Sequence, residues 1–415
     1  MKTLSQYLLE QCCNFRCGIV LPYQKLENNF CDIPGVHNYA VPEDANVYWR
    51  SASGALHSDE DMAIMGAIGE SMERYCGAVS NFEIKRIDEL GGKDVIRQSE
   101  FSLFSEEQYK DPNFAWKKPS AEDSYYCKVH SLYDNGEHYV PQELVGLGSR
   151  HSVAAIPSTS TGIAAHTDIY DAILNALLEA LERDALSVYW LNSLGGREIP
   201  MASRYTDEVR KKGGEVFCFD ATQDWNPFPV AMVCGHLPSQ GKKRISLGAA
   251  CRPDYAGAIQ KAYFEWIQGC IFAGYYDEYH PNLKIEKNSD VNSFDIHAVY
   301  YTKKPSEWEG VPLLKKRSRH SYVETDYMDM GSKDRLKALL DALWRANIRL
   351  FYKDLTTVDV KEAGMHVVRV VSPELSLLHG DESVPFLGGR TGDAGWRYKG
   401  LLRGAFPNRH PHPLG

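Results

Sequence analysis

Three long stretches repeat apolar residues at helical spacing while carrying polar side chains on one face. The first runs from about Asp59 to Gly77, DEDMAIMGAIGESMERYCG. Its acidic opening suits a helix N-terminus, and Gly77 reads as its stop. The second runs from about Asp168 to Asn192, where Ile173, Leu177, Leu181, Ala185 and Val188 form an apolar stripe. The third runs from about Tyr255 to Gly269. Between them lie two similar strand phrases. EVFCFDATQDWNPFPVAMVCG follows Gly214 and IRLFYKDLTTVDVKEAGMHVVRVVSP follows Asn347, and each reads as strand, Asp-x-Thr turn, β-rich strand. The pattern predicts a mixed α/β (α+β) fold, a duplicated α/β unit with helices packed on mixed sheets.

The polar positions in the helices repeat too. Glu70 and Glu73 share a face with Gly66 one turn earlier, and Arg74 follows. Asn175, Glu179 and Glu182 fall at i, i+4 and i+7, with Arg183 following, and Glu265 and Gln268 repeat the i, i+3 spacing. Two E-x-x-E-R phrases and an E-x-x-Q phrase make a set of oxygen ligands for a hard cation such as magnesium. Acids gathered from several helices repel one another unless cations compensate. The alternative, that each Glu is a solvent-facing helix residue weakly paired with its Arg, stays open at this level.

No G-x-x-x-x-G-K-[ST] loop is present, and no G-x-G-x-x-G follows a clear strand. Any bound ATP would therefore depend on acids and magnesium for its phosphates. Gly388, Gly389, Arg390, Thr391 and Gly392 form either a backbone cradle with one cation or a plain turn. The stretch from Ser158 to Gly162 either lines a phosphate or caps the next helix.

Composition narrows the classes. With 43% hydrophobic and 24% charged residues over 415 positions, the chain can bury a sizeable core. A net charge of −9 offers no field for a phosphate backbone, which argues against nucleic acid, and the basic run Lys315 to Arg319 reads as a solvated face. The N-terminus lacks a signal-peptide core, and no apolar run reaches a membrane span, so a cytoplasmic protein is expected. Ten scattered cysteines point to reduced thiols. The Cys12, Cys13, Cys17 and Cys31 cluster lacks the CxxC pairing usual for structural zinc.

These phrases resemble the YcaO superfamily over nearly the whole chain. GAIGESMERYCG (66 to 77) looks like its first acidic helix, the stretch from Ser158 to Trp190 like its second motif, and AIQKAYFEWIQ (258 to 268) like its third. The Asp220-Ala-Thr222 and Asp354-Leu-Thr356 turns are similar to its paired strands. The resemblance implies an ATP site in which Glu70, Glu73, Glu179 and Glu182 bind Mg2+. Ser160, Arg74, Asn175, Arg183, Glu265, Gln268 and Arg390 would contact nucleotide or phosphate. It also implies an N-terminal extension over 1–45, a catalytic domain over 46–405 and a Pro-rich tail over 406–415. The tail ends Pro411-His412-Pro413-Leu414-Gly415, similar to the family's PxPxP ending with Gly415 in place of the last proline, and the Gly415 carboxylate is the expected base. A Gly-Lys-Gly phrase common before the first helix is replaced here by SASGALHS.

The implied activity is ATP-dependent closure of Cys, Ser or Thr side chains of a precursor peptide into azolines. The resemblance further implies a leader-binding partner related to ubiquitin-activating folds, because about fifty residues before the first motif are too few for such a domain. A flavin-dependent azoline dehydrogenase and a homodimer within a larger complex complete the expected assembly. Thioamide or macroamidine synthesis, a non-enzymatic ATP-binding accessory role and metal-dependent hydrolysis are the competing readings.

Overall fold

A computed structural model describes residues 3–14, 18–27, 30–31, 33–79, 81–91, 94–118, 124–147, 157–325 and 327–415. The chain divides into two compact units, one from residues 1–26, 36–180 and 330–375, the other from residues 27–35, 181–329 and 376–415. Cys17 lies outside the described residues; every described cysteine is a free thiol. None of the described helices is long and apolar enough to cross a membrane.

In the first unit, a six-stranded sheet runs in the order Ile84–Arg86, Tyr125–Ser131, Phe351–Asp354, His366–Val371, Ile163–His166, with Glu137–Pro141 paired to Tyr125–Ser131. All these pairings are antiparallel. A three-stranded antiparallel sheet of Gln24–Lys25, His37–Val41 and Ser53–His57 lies under the first long helix, Glu60–Val79. The second unit holds a five-stranded sheet in the order Lys242–Cys251, Val230–Ser239, Glu215–Asp220, Arg197–Ile199, Ser318–Arg319, with only the last pair parallel. Across its first two strands packs the third long helix, Tyr255–Tyr279. The second long helix, Ile169–Leu191, is continuous and contributes its N-terminal half to the first unit and its C-terminal half to the second.

Both Asp-x-Thr phrases fold as expected, and identically. Asp220 Oδ1 accepts from the Thr222 N–H (2.9 Å) and hydroxyl, and Thr222 Oγ1 accepts from the Val230 N–H (2.9 Å). Asp354, Thr356 and Val367 repeat the network at 2.9 and 3.0 Å in the other unit. A short polar side chain that bonds its own backbone two residues on closes the turn and starts the next strand in register.

Gly77, read as a stop, and Gly269, the approximate limit of the third stretch, are both internal to their helices. The first helix continues to Val79, and the third runs ten residues beyond Gly269. A Cβ at Gly77 would meet Leu147 Cγ at 2.7 Å, and one at Gly269 would meet Ser246 Oγ at 2.0 Å. They are glycines of close packing, which a local stop rule cannot separate from caps. The basic run Lys315 to Arg319 is exposed, as expected.

Candidate functional site

Each long helix is buried around its circumference except along one stripe, and the polar positions follow those stripes. On the first helix the stripe includes Gly66, Glu70 and Glu73; on the second, Asp171, Asn175, Glu179 and Arg183; on the third, Lys261, Glu265 and Gln268. Ile173, Leu177, Leu181, Ala185 and Val188, the predicted apolar stripe, are all buried. Core packing therefore fixes each helix and leaves Glu70, Glu73, Glu179 and Glu265 on its open side, whereas Glu182, expected on the face of Asn175 and Glu179, lies buried beside that stripe.

In the first unit, strand backbone clamps the acids. Glu70 Oε2 accepts from the Gly54 N–H at 2.9 Å, and Glu179 Oε2 from the Gly162 N–H at 3.1 Å. In each case a strand leads through a histidine whose Nδ1 accepts the N–H of an aspartate two residues on, at 2.9 Å for His57 and 3.1 Å for His166, and then enters the helix. This is a repeat at the level of individual bonds. Gly162 itself has φ +82°, and a Cβ there would lie 2.4 Å from the Val370 carbonyl oxygen. In the second unit Gly248 plays a comparable role under the third helix, where a Cβ would lie 2.2 Å from the Ala262 carbonyl and 2.8 Å from Glu265 Cβ.

Electrostatics distinguishes the acids. Burial, then the neighbouring Glu179 and Glu70, push the Glu73 carboxyl well above the usual range, against the Ala165 N–H (2.8 Å) and Arg74. Arg74 Nη2 bonds Glu70 Oε1 at 3.1 Å. Arg369 is 1% exposed on the strand His366–Val371; burial pushes its guanidinium down to about 10 while Glu179 supports it, so it stays cationic. Its Nη1 donates to the Thr159 carbonyl at 2.8 Å, fixing the loop that carries Ser160.

In the second unit Glu182 is 3% exposed, with Arg183 Nε 3.3 Å from its Oε1. Burial opposes ionisation of Glu265, yet Lys261, Arg183 and Arg252 outweigh it and hold the carboxyl below its ordinary value. Lys261 bonds Glu265 directly, one helical turn away. Gln268 is half-buried one turn further on.

The structure thus brings Glu70, Glu73, Arg74 and Glu179 together in the first unit and Glu182, Arg183 and Glu265 in the second. Asn175 shares the Glu179 stripe, and the half-buried Ser160 accepts the Ile163 N–H on its carbonyl. Arg390 is exposed, its guanidinium 4.3 Å from the Trp396 ring centroid. Gly415 is exposed beside the helix Phe294–Lys303, where a Cβ would lie 2.4 Å from Ala298 Cβ. Arg369 and Arg252 were missed by sequence reasoning. The visible signal for Arg369 was a cation inside the otherwise apolar run Val367 to Val371.

Among the described residues, no three His, Cys, Asp or Glu side chains close on one point as a ready-made metal cage. The donor set is hard oxygen, and Glu73, Glu179 and Glu70 crowd negative charge beside buried surface. Such a set fits a divalent cation that draws its remaining ligands from phosphate oxygens.

Within the first unit, Glu70, Glu73 and Glu179 form a carboxylate-rich cluster clamped by strand backbone. By its match over residues 57–376 to the model of the YcaO cyclodehydratases, described as ATP- and Mg2+-binding, the chain belongs to that family. Among solved structures it is similar to a heterocyclase in complex with substrate and cofactor (18% identity, TM-score 0.76), covering 100% of this chain and 57% of that one. The YcaO protein of Methanopyrus kandleri, bound with AMPPCP and Mg2+, matches at 16% identity and TM-score 0.62 over 89% of both chains. The Escherichia coli microcin synthetase McbBCD complex matches at 16% identity and TM-score 0.58, over 91% of this chain and 95% of that one. A protein in the tfuA 3′ region of Rhizobium leguminosarum bv. trifolii is 27% identical over 176 residues, which is 38% of this chain and 42% of that protein. The chain therefore spans little more than half of the first of these structures and less than half of the rhizobial relative.

Proposed function

We propose that this chain is an ATP- and Mg2+-dependent cyclodehydratase that acts on backbone amides of a ribosomal precursor peptide and closes Cys, Ser or Thr side chains into thiazoline or oxazoline rings. The observation that carries the reading is the Glu73 carboxyl, pushed upward by burial and by Glu179 and Glu70 on an otherwise packed pair of helices. Like charges held together in this way ask for a cation. The family's cofactors, ATP and Mg2+, meet that demand.

In this reading Glu70, Glu73, Glu179 and Glu182 hold Mg2+. Arg183, Arg74, Glu265, Gln268, Asn175, Ser160 and Arg390 contact the nucleotide. When bound, ATP supplies the phosphoryl group with which the amide oxygen departs as phosphate, and Mg2+ spreads the charge of that transfer. The chain's own contribution is positioning. Gly54 and Gly162 fix the carboxylate rotamers, Arg369 offsets the charge of Glu179, and Arg252 and Lys261 keep Glu265 ionised. The substrate side chain attacks the preceding carbonyl carbon and gives up its proton to solvent; the amide oxygen then departs on phosphate as the amide nitrogen releases its own proton to solvent and the C=N bond of the ring forms. One water's worth of mass leaves the peptide, its oxygen carried on phosphate.

A peptide substrate and protein partners are supported by the microcin synthetase likeness, which includes a complex with pro-MccB17 bound. We assign this chain a separate leader-binding partner, and within the larger assembly a flavin-dependent dehydrogenase and a second copy. Incubation with a Cys/Ser-rich precursor, Mg·ATP and that partner, read by mass spectrometry, tests the reading. The expected result is ATP-dependent loss of one water mass per ring. Oxygen-for-sulfur exchange would support thioamide synthesis instead, and backbone cleavage a hydrolase.

A further inference from the structure

One turn of the second long helix carries both the proposed ligand Glu182 with Arg183 and, facing the opposite way, Asp184. Asp184 and Arg397 are each 0% exposed. They form a two-point pair, with Arg397 Nε donating to Asp184 Oδ2 at 2.9 Å and Nη2 to Oδ1 at 2.6 Å. The third arm of the guanidinium, Nη1, donates to the Arg390 carbonyl at 2.7 Å. Asp184 also accepts from the Ser376 N–H (2.7 Å) and from Gln223 Nε2 (3.0 Å), which in turn bonds the Leu181 carbonyl at 3.0 Å. Next along the loop, Thr391 is tied to the same helix and strand exit. Its hydroxyl meets Ser376 Oγ at 2.9 Å, and its carbonyl accepts from Asn192 Nδ2 at 2.8 Å.

A buried ion pair is a weak source of net stability, because an apolar pair of similar volume does as well or better. What it supplies is direction. A guanidinium fork fixes distance and angle at two carboxylate oxygens and still has a donor to spend on a third partner. Here the spare donor reaches the backbone of the residue whose side chain stands over Trp396, at the centre of the Gly388–Gly392 loop. The loop backbone is thereby tied to the helical turn that carries Glu182 and Arg183.

We propose that Asp184 and Arg397 are positioning residues of the nucleotide site, setting Arg390 relative to Glu182 and Arg183. This rests on the reading that Arg390 contacts the nucleotide. Both are fully buried and act through the loop. Arg397→Lys keeps the buried charge and loses the fork and the bond to the Arg390 carbonyl, so it separates geometry from electrostatics.

The test is a double-mutant cycle on the full chain, measuring Mg·ATP affinity by calorimetry for the parent, Arg390→Ala, Arg397→Lys and the double variant, with thermal unfolding of each. Each single change is expected to weaken binding about tenfold, equivalent to about 1.4 kcal/mol. The double variant should bind no worse than Arg390→Ala, since the lost side chain has nothing left to be positioned. If Arg397→Lys fails to fold, Thr391→Val, which removes the hydroxyl bond to Ser376 and spares the ion pair, takes its place with the same expectation. Multiplying penalties, or unchanged affinity in Arg397→Lys while Arg390→Ala weakens binding, overturns the positioning role alone. A parent protein without Mg·ATP affinity, or Arg390→Ala without effect, overturns the nucleotide reading beneath it.

Discussion

The segment from Arg409 to His412 is held by its backbone, and that hold should loosen in acid. Its four consecutive carbonyls accept from Asn288 Nδ2, Trp190 Nε1 (2.6 Å), Tyr301 Oη (2.7 Å) and His297 Nδ1 (2.8 Å). The His412 ring stacks on His297 at 3.9 Å, and its Nε2 donates to the His379 carbonyl at 2.7 Å. All three histidines are at most 2% exposed. His297 is faced by Glu382, His379, His412 and Asp381, and His412 by His297, His379 and Arg183. Burial pushes His297 down from 6.5 to about 4, against the pull of Glu382, and pushes His412 well below its ordinary value, with His297, His379 and Arg183 acting in the same direction.

Both values are lowered in the docked state, so docking is at full strength above pH 6.5 and weakens as pH falls from 6.5 toward 4. At pH 5 the His297 shift alone costs about 2 kcal/mol, roughly thirtyfold in the released fraction, and His412 adds to it with the same sign. Amide hydrogen exchange across residues 408–415, corrected for its intrinsic pH dependence, reads that fraction directly. Protection should fall between pH 7 and 5. His412→Phe, which can stack but not titrate, should reduce the dependence, and adding His297→Phe should abolish it. Equal protection at pH 5 and 8, or an undiminished pH dependence in the double variant, would refute the argument.

Glu182→Gln should abolish Mg·ATP turnover with the circular dichroism spectrum unchanged; retained phosphate release would count against its ligand role. Glu73→Gln relieves a desolvated and repelled carboxylate, so without divalent ions it should raise stability by roughly 1 kcal/mol. The same change should shrink the Mg·ATP-induced rise in unfolding temperature, measured by differential scanning fluorimetry. Gly248→Ala drives a methyl to 2.2 Å from the Ala262 carbonyl, and should destabilise the second unit by about 3 kcal/mol in a urea titration.

Much of the site was legible because its signals are local. The E-x-x-E-R spacing needs only helical geometry to place Glu70 and Glu73 on one stripe, but it did not show that Glu182 is buried away from the Glu179 stripe. The Asp-x-Thr turns close through bonds within three residues of sequence. Gly77 and Gly269 misled for the complementary reason: a glycine that ends a helix and one that admits a neighbour look alike until Leu147 and Ser246 are seen against them.

Sequence alone determined the three helices, their acidic stripes, the two turns and the family, since periodicity and short-range bonding are written in adjacent residues. Tertiary structure alone decided that the Gly54 and Gly162 amides clamp the carboxylates, that Arg369 lies buried beside Glu179, and that Arg397 ties Asp184 to the Arg390 loop across 213 positions of chain. Those pairings depend on which distant segments share a low-dielectric interior. Neither spacing nor residue type encodes that locally.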